Sequence, residues 1–195
     1  MCNAYGNRIS YHTYVEAFEQ RRIPLTFPHG PPNLEPRDMI RPTDPAPIIR
    51  PAPDGPGFEL VEVRWGFPSP RLKGGPIINF RSEDRQFGPG RCLVPASHFF
   101  EYTGTKSPKT KWRFTIAGHS WFCFAGLWRR APGPDGPADS FTILTCEPGE
   151  DIKPIHNRQP VILRSNQWAD WLNPRVPSAP LLQPSPPGTL AVEQA

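Results

Sequence analysis

The distribution of proline constrains the fold of this 195-residue chain more than any other sequence feature. Eleven of the 33 residues from Pro24 to Pro56 are proline. Proline lacks a backbone N–H donor and is excluded from helix interiors and central strands. Residues 24–56 are therefore predicted to form an extended surface wrap, with one short strand near Ile48-Ile49. Six more prolines lie between residues 174 and 187 without hydrophobic periodicity, so residues 174–195 are predicted to be a disordered tail.

Two segments have the periodicity of helices. Residues 10–22 place apolar side chains at i, i+3, i+4 and i+7, with Ser10 as a candidate N-cap and Pro24 as the stop. A second, short helix is predicted to begin at Ser165 and to end before Pro174, with its tryptophans on one face.

Between these helices, seven or eight short apolar segments indicate strands. They are residues 58–65, 76–81, 91–95, 98–102, 112–116, 121–128, 140–145 and 161–163. Several strands in succession favour antiparallel pairing over βαβ units. We therefore predict an α+β fold with a mainly antiparallel, β-barrel-like core and peripheral helices. Residues 2–173 are expected to form a single domain.

Composition limits the classes of function. The net charge of +4 and the pI near 9.0 are compatible with a polyanionic partner. The four cysteines, Cys2, Cys92, Cys123 and Cys146, form no CxxC pair, so we expect no zinc site and no other cofactor. No apolar run approaches the ~18 residues of a membrane span, and no apolar segment follows the start. We expect a cytoplasmic protein and, if the chain is bacterial and its polyanionic partner is nucleic acid, association with the nucleoid in the bound state.

Cys2 offers chemistry that no other cysteine of the chain shares. Removal of Met1 would give Cys2 a free α-amine beside its thiol, and this pair can close a thiazolidine ring on an aldehyde. The free amine titrates near ~7.7–8.0 and the thiol near ~8.5, so both groups are partly nucleophilic close to neutrality. A second-position cysteine on its own is more often without a chemical role.

Three polar residues interrupt apolar segments and add to the case for Cys2. They are Asn79 after Ile77-Ile78, Glu101 after Phe99-Phe100, and His156 before the strand at Val161. Each alone is more often structural. Together they supply what an amine–aldehyde condensation needs, because a carboxyl in apolar surroundings and an imidazole can both transfer protons near neutrality. The side-chain amide of Asn79 can orient the reacting amine or a sugar that carries the aldehyde.

The order of short motifs resembles the SOS-response-associated peptidase (SRAP) family over roughly residues 2–172. The motifs are Met1-Cys2-Asn3, Arg64-Trp65-Gly66, Asn79-Phe80-Arg81, Arg91-Cys92-Leu93-Val94-Pro95-Ala96 with Phe99-Phe100-Glu101-Tyr102, Phe124-Ala125-Gly126-Leu127-Trp128, and Phe141-Thr142-Ile143-Leu144-Thr145 through Pro154-Ile155-His156 to Pro160-Val161-Ile162-Leu163. The resemblance implies a compact α/β fold with a β-barrel-like core and a basic cleft for single-stranded DNA.

The resemblance also implies a covalent reaction with abasic sites in single-stranded DNA. The mature Cys2 would attack the ring-opened aldehyde and stay attached through a thiazolidine, as a shield in the DNA damage response. Asn79 would position the cysteine amine and the sugar. Glu101 would be the acid/base of ring opening, condensation and autoproteolytic removal of Met1, and His156 a second proton donor linked to lyase chemistry or crosslink reversal.

The remaining residues carried over by the resemblance are predicted to bind DNA. Arg81 and Arg158 would hold phosphates, Trp65 would stack at the bases, and Thr145 would support the site. Proteins bind single-stranded DNA with basic side chains that contact its backbone and with aromatic rings on which its bases stack. The chain departs from the commonest family start, because Asn3-Ala4 replaces Gly-Arg and one basic contact is missing.

Two other functions are compatible with the same residues. The chain could be an N-terminal-nucleophile amidohydrolase or cysteine peptidase that also uses Cys2, although no oxyanion hole or peptide groove is identifiable. It could instead be a non-catalytic binder of single-stranded nucleic acid. In every case we expect a monomer and no membrane partner.

Overall fold

Strands make up most of the secondary structure. The computed structural model describes residues 2–30, 32, 34–53, 55–71, 73–132 and 136–195. In chain order the strands are β1 (Tyr5–Asn7), β2 (Leu25–Thr26), β3 (Arg37–Ile40), β4 (Pro45–Pro51), β5 (Phe58–Trp65), β6 (Asn79–Arg81), β7 (Arg91–Ala96), β8 (His98–Thr103), β9 (Thr110–Ile116), β10 (Phe122–Ala131), β11 (Ala138–Cys146), β12 (Gln159–Pro160), β13 (Ile162–Leu163) and β14 (Leu190–Gln194). The helices are α1 (Tyr11–Glu19) and α2 (Trp168–Leu172), and Ser165–Gln167 and Ala179–Leu181 form 3₁₀ turns.

A closed barrel of five strands organises the described part of the chain. The strands β11, β10, β7, β4 and β5 are antiparallel neighbours in that order, and β5 closes the ring by pairing in parallel with β11. Closure removes the free edges that an open sheet would expose. Around the ring, β2 adds to β5, β13 adds to β10, and β6 and β12 add to β11.

A second sheet contains the first and the last strands of the chain, β1 and β14. Its order in the described residues is β14-β9-β8-β1-β3, all antiparallel. The prediction of an α+β fold with a barrel-like, mainly antiparallel core and peripheral helices is confirmed.

Alternation along the barrel strands divides the apolar side chains between two clusters. The inner cluster includes Cys2, Trp65, Cys92, Val94, Phe99, Phe124, Phe141 and Ile143. The outer cluster joins Leu93, Cys123, Ala125 and Leu144 to side chains of the two helices, Tyr14, Phe18, Trp168 and Trp171. The helices therefore cover the outside of the barrel, and Ser10 caps α1 as predicted, its Oγ accepting from the Thr13 N–H at 3.2 Å.

The proline-rich segment contains the strand predicted near Ile48-Ile49, but this strand belongs to the barrel and not to a surface wrap. Strand β4 lies inside it, pairs with β5 along seven residues, and buries Ile48 and Ile49 completely. Its prolines, at 45, 47 and 51, are all at odd-numbered positions, and alternate residues of a strand direct their N–H groups to the same edge. The missing donors therefore fall on one edge, and the other edge is free for the ladder with β5.

The segment after residue 173 also differs from the sequence-based expectation of a disordered tail. Leu182 and Leu190 are buried, and β14 pairs with β9 from Leu190↔Ile116 to Gln194↔Trp112. These contacts integrate residues 174–195 into the same folded unit as residues 2–173. No helix in the described ranges is long and apolar enough to cross a membrane.

Candidate active site at Cys2

The pairing of β1 with β8 fixes the position of Cys2. Tyr5 is registered opposite Phe99, and the Phe100 N–H donates to the Ala4 carbonyl at 3.0 Å. Because the strands are antiparallel, the chain before Ala4 runs toward Glu101. Cys2 is fully buried there, with its thiol 3.5 Å from the Ala4 carbonyl oxygen. Met1 lies outside the described residues.

Asn79, at the start of β6, contacts Cys2 directly. Strand β6 pairs in parallel with β11, in the register Asn79↔Ile143. The Asn79 Nδ2 donates to the Cys2 carbonyl at 2.8 Å. Its Oδ1 is buried and has no hydrogen-bond partner among the described residues. The amide therefore holds the cysteine backbone and still has an acceptor oxygen to offer.

Glu101 is a buried carboxyl close to the same cysteine. Only 2% of the residue is exposed, and burial raises its pKa to about 7. Burial also raises the pKa of the Cys2 thiol well above its ordinary value, and the charge of Glu101 raises it further. The thiol is therefore held neutral, beside a carboxyl that gains and loses a proton near neutrality.

His156 brings a second proton-transfer group to Glu101. Its Nε2 lies 3.9 Å from the Glu101 Oε2, and partial burial lowers the pKa of the imidazole. Its Nδ1 lies 3.0 Å from the Arg158 amide nitrogen and 3.1 Å from the Arg158 carbonyl oxygen. The backbone of Arg158 thus offers an acceptor to a protonated Nδ1 and a donor to an unprotonated one, so the ring keeps a hydrogen bond in either state.

An open depression of ≈370 Å³ reaches Glu101 and His156. Its lining residues are Asn3, Glu101, Tyr102, Lys109 and His156. Lys109 is exposed in the loop between β8 and β9, and it places a positive charge on the rim. Tyr102 was not singled out from the sequence. Its one indication in the sequence is its place directly after Glu101, near the end of β8.

The structure brings four predicted residues together: Cys2, Asn79, Glu101 and His156. They come from the N-terminal segment, β6, β8 and the loop after β11, and no local sequence signal connects them. The combination of a nucleophile, an orienting amide and two proton-transfer groups is suited to condensation of an amine and a thiol with a carbonyl compound. Among the described residues, no group of three or more His, Cys, Asp or Glu side chains is arranged to hold a metal ion.

Arg158 differs from its predicted role as a phosphate contact. Its guanidinium is buried and donates to both carboxylate oxygens of Glu83, at 2.9 Å to Oε2, and to Glu147 Oε1 at 3.3 Å. It also donates to the Thr145 carbonyl at 2.9 Å and to the Thr145 Oγ1 at 3.0 Å. Arg158 holds the pKa of Glu83 below its ordinary value. With both terminal nitrogens of its guanidinium bound to protein oxygens, Arg158 anchors the His156 loop to β11, and Thr145 is part of that anchor.

Trp65 also occupies a position that differs from its prediction as a base-stacking residue. It is fully buried, its Nε1 donates to the Ile78 carbonyl at 3.0 Å, and it packs on Tyr5 and Phe141. No face of the indole is open to a base. Apolar alternation from Val61 through Val63 to Trp65 was the signal for this core position.

Arg81 is exposed at the end of β6, two residues beyond Asn79, where a guanidinium is accessible to a phosphate.

Known proteins with similar sequences and folds were compared with the chain. A family model described as SOS response associated peptidase (SRAP) matches residues 1–194. The abasic site processing protein YoaM of Bacillus subtilis is 33% identical over 91% of this chain and 83% of its own length. The abasic site processing protein YoqW of the same species is 31% identical over 87% of this chain and 80% of its own length.

Two solved structures have the same fold. A protein from Bordetella bronchiseptica superposes with a TM-score of 0.74 at 24% identity, covering 100% of this chain and 99% of its own. A protein from Bacteroides thetaiotaomicron superposes with a TM-score of 0.75 at 17% identity, covering 99% of this chain and 91% of its own.

Proposed function

This chain belongs to the SOS response associated peptidase (SRAP) family, and on that premise we propose that it processes abasic sites in single-stranded DNA by joining them covalently to Cys2. Relatives at 31–33% identity carry the name abasic site processing protein. The observation that carries the proposal is the meeting of Cys2 with Asn79 and Glu101 beside an open depression. We include the removal of Met1, by the chain itself or by another enzyme, as a required first step.

The proposed reaction forms a thiazolidine without any change of oxidation state. The α-amine of the mature Cys2 adds to the aldehyde carbon of the ring-opened sugar, and loss of water gives an imine. The thiol sulfur then adds to the imine carbon, and its proton ends on the ring nitrogen. One aldehyde and one aminothiol thereby give one thiazolidine and one water.

Glu101 and His156 are proposed to move the protons of this sequence. With a pKa of about 7, Glu101 is present in both forms near neutrality, so it can donate a proton to the departing water and accept one from the thiol. The thiol needs such a base because burial holds it neutral. Asn79 would orient the amine through its unpartnered Oδ1. His156, 3.9 Å from Glu101, would return protons, including in strand cleavage or reversal of the crosslink.

Single-stranded DNA is proposed to reach the depression along exposed basic side chains. Lys109 on the rim and Arg81 at the end of β6 are exposed, and the chain carries a net charge of +4. Exposed cations bind phosphates through release of counterions. Trp65 has no part in this proposal because it is buried. We propose that the protein acts as a monomer that shields abasic sites from further damage.

The test is incubation of the purified protein with single-stranded DNA that contains one abasic site. We expect an adduct that survives denaturing electrophoresis, and none with the same oligonucleotide lacking the abasic site. The Cys2→Ala variant is the matched control. It keeps the amine and can form only the imine, so its adduct should survive denaturation only after borohydride reduction. Absence of a wild-type adduct, or an equally stable Cys2→Ala adduct without reduction, would refute the proposal.

A further inference from the structure

We infer that Asp151 is a positioning residue for His156, and that the C-terminal residues 185–194 form part of the framework of the active site. We call these residues the C-terminal strap. The inference rests on the proposed function, in which His156 exchanges protons with Glu101. It assigns a role to a segment whose sequence gives no sign of one.

One carboxylate connects the His156 loop to the strap. Asp151 Oδ1 accepts from the Gly188 N–H and Asp151 Oδ2 accepts from the Leu190 N–H, both at 2.9 Å. Hydrogen bonds from backbone N–H groups to a charged carboxylate are stronger than those between neutral groups. Both oxygens of Asp151 are used, so the side chain fixes the loop in orientation as well as in distance.

A second contact holds the base of the same loop against the strap. Gln159 Oε1 accepts from the Gly149 N–H at 2.6 Å, and Gln159 Nε2 donates to the Ser185 Oγ at 3.3 Å. A Cβ on Gly149 would lie 2.6 Å from the Ser185 carbonyl oxygen, so glycine permits the close approach of the two backbones. Loop and strap are thus joined at two places.

A single turn of backbone connects Asp151 to His156. The Ile152 carbonyl accepts from the Ile155 N–H and from the His156 N–H, each at 2.8 Å. The side chain of Ile152 is fully buried in the inner cluster. Displacement of Asp151 is therefore transmitted to the imidazole and is not absorbed by a loose loop.

The strap also leads back to Glu101 through the second sheet. Strand β14 pairs with β9 over five residues, and β9 pairs with β8, where Glu101 lies opposite Trp112. Glu193 adds an ion pair to Arg113 at 2.7 Å. Asp151 thus ties the loop that carries His156 to the sheet that carries Glu101. The 3.9 Å separation of the two proton-transfer groups depends on that tie.

The experiment measures the rate of adduct formation on abasic single-stranded DNA as a function of DNA concentration. We expect Asp151→Ala to lower the rate at saturating DNA on the order of tenfold, because small misplacements of catalytic groups have effects of this size or larger. The DNA concentration at half saturation should not change, since Asp151 touches no DNA-binding group. Asp151→Asn keeps the shape and one acceptor and should fall between wild type and Asp151→Ala. Glu150→Ala, an exposed neighbour paired only loosely with Lys153 at 3.6 Å, is the matched control and should keep the wild-type rate.

A double-variant comparison separates positioning from general loss of structure. If Asp151 acts through His156, adding Asp151→Ala to His156→Ala should cause no further loss of rate. The same factor of loss in both backgrounds, or a wild-type rate for a folded Asp151→Ala or Asp151→Asn, would overturn the inference. Failure of the proposed function would be visible separately, as the absence of an adduct with the wild-type protein.

Discussion

At the scale of single residues, the site depends on a carboxyl group that the fold keeps away from water. Glu101 lies in β8 beside Phe100, next to a cysteine that is itself fully buried. Its raised pKa has a cost, because the folded state must hold a charge in apolar surroundings at neutral pH. Such a cost is tolerated where the group has a chemical use.

The first prediction concerns the pH dependence of stability in Glu101→Gln. The folded-state pKa of Glu101, about 7, lies above the value of ~4.3 expected in the unfolded chain. The stability that the protonated carboxyl contributes is fully present below the pKa of the unfolded state. It is lost as the pH rises through the pKa of the folded state. The free energy of unfolding of Glu101→Gln, relative to wild type, should therefore rise by about 3 kcal/mol between about pH 4 and about pH 8. The reason is that glutamine stays neutral where the buried carboxyl of wild type ionises. Denaturant unfolding at both pH values measures this, and a difference that does not vary with pH would contradict the prediction.

The second prediction separates two arginines that the sequence assigned to the same role. Arg158→Ala should lower the free energy of unfolding by about 2 kcal/mol, since it leaves Glu83 and Thr145 without their partner, and should leave the salt dependence of DNA binding unchanged. Arg81→Ala should do the reverse, with stability within about 0.5 kcal/mol of wild type and a salt slope smaller by about one. Binding titrations in a salt series and denaturant unfolding measure both. A reduced salt slope in Arg158→Ala would restore its role as a phosphate contact.

At the scale of elements, the sequence predicts a short strand near Ile48-Ile49, but neither the place of β4 in the barrel nor the folding of the C-terminal segment. Proline content hides the full length and the central position of β4, because the rule against proline in central strands does not take the parity of the positions into account. The sequence does not reveal that the end of the chain is folded, because its apolar runs are short. Leu182 packs in the outer cluster and Leu190 pairs with β9, and neither contact can be read from the local sequence. Helix α1, by contrast, was predictable because its periodicity and its Ser10 cap are local signals.

The third prediction tests whether the C-terminal strand contributes to stability. Leu190 is 7% exposed in the inner cluster, whereas Val192 in the same strand is 38% exposed. Leu190→Ala should cost about 2–3 kcal/mol of free energy of unfolding, and Val192→Ala less than about 0.5 kcal/mol. Denaturant unfolding of both variants checks this. Equal and negligible costs would indicate that the segment does not pack against β9.

At the scale of the whole molecule, the barrel and the second sheet bring residues of three distant chain segments to Cys2. The sequence identified Cys2, Asn79, Glu101 and His156 as candidates because each polar group interrupts an apolar run or occupies a special position. It did not separate Trp65 and Arg158 from the DNA-binding residues, because motif identity does not reveal which face of β5 points inward or which carboxylates surround an arginine. Those facts depend on contacts between residues far apart in the chain, such as Arg158 with Glu83.

The intact mass of the protein–DNA adduct is the most direct measure of a thiazolidine between mature Cys2 and an abasic site. We predict a single species whose mass equals that of the chain without Met1 plus that of the abasic oligonucleotide, less one water. Peptide mapping should place the modification on Cys2. A chain that retains Met1 throughout, or an adduct that maps to a lysine such as Lys109, would contradict it.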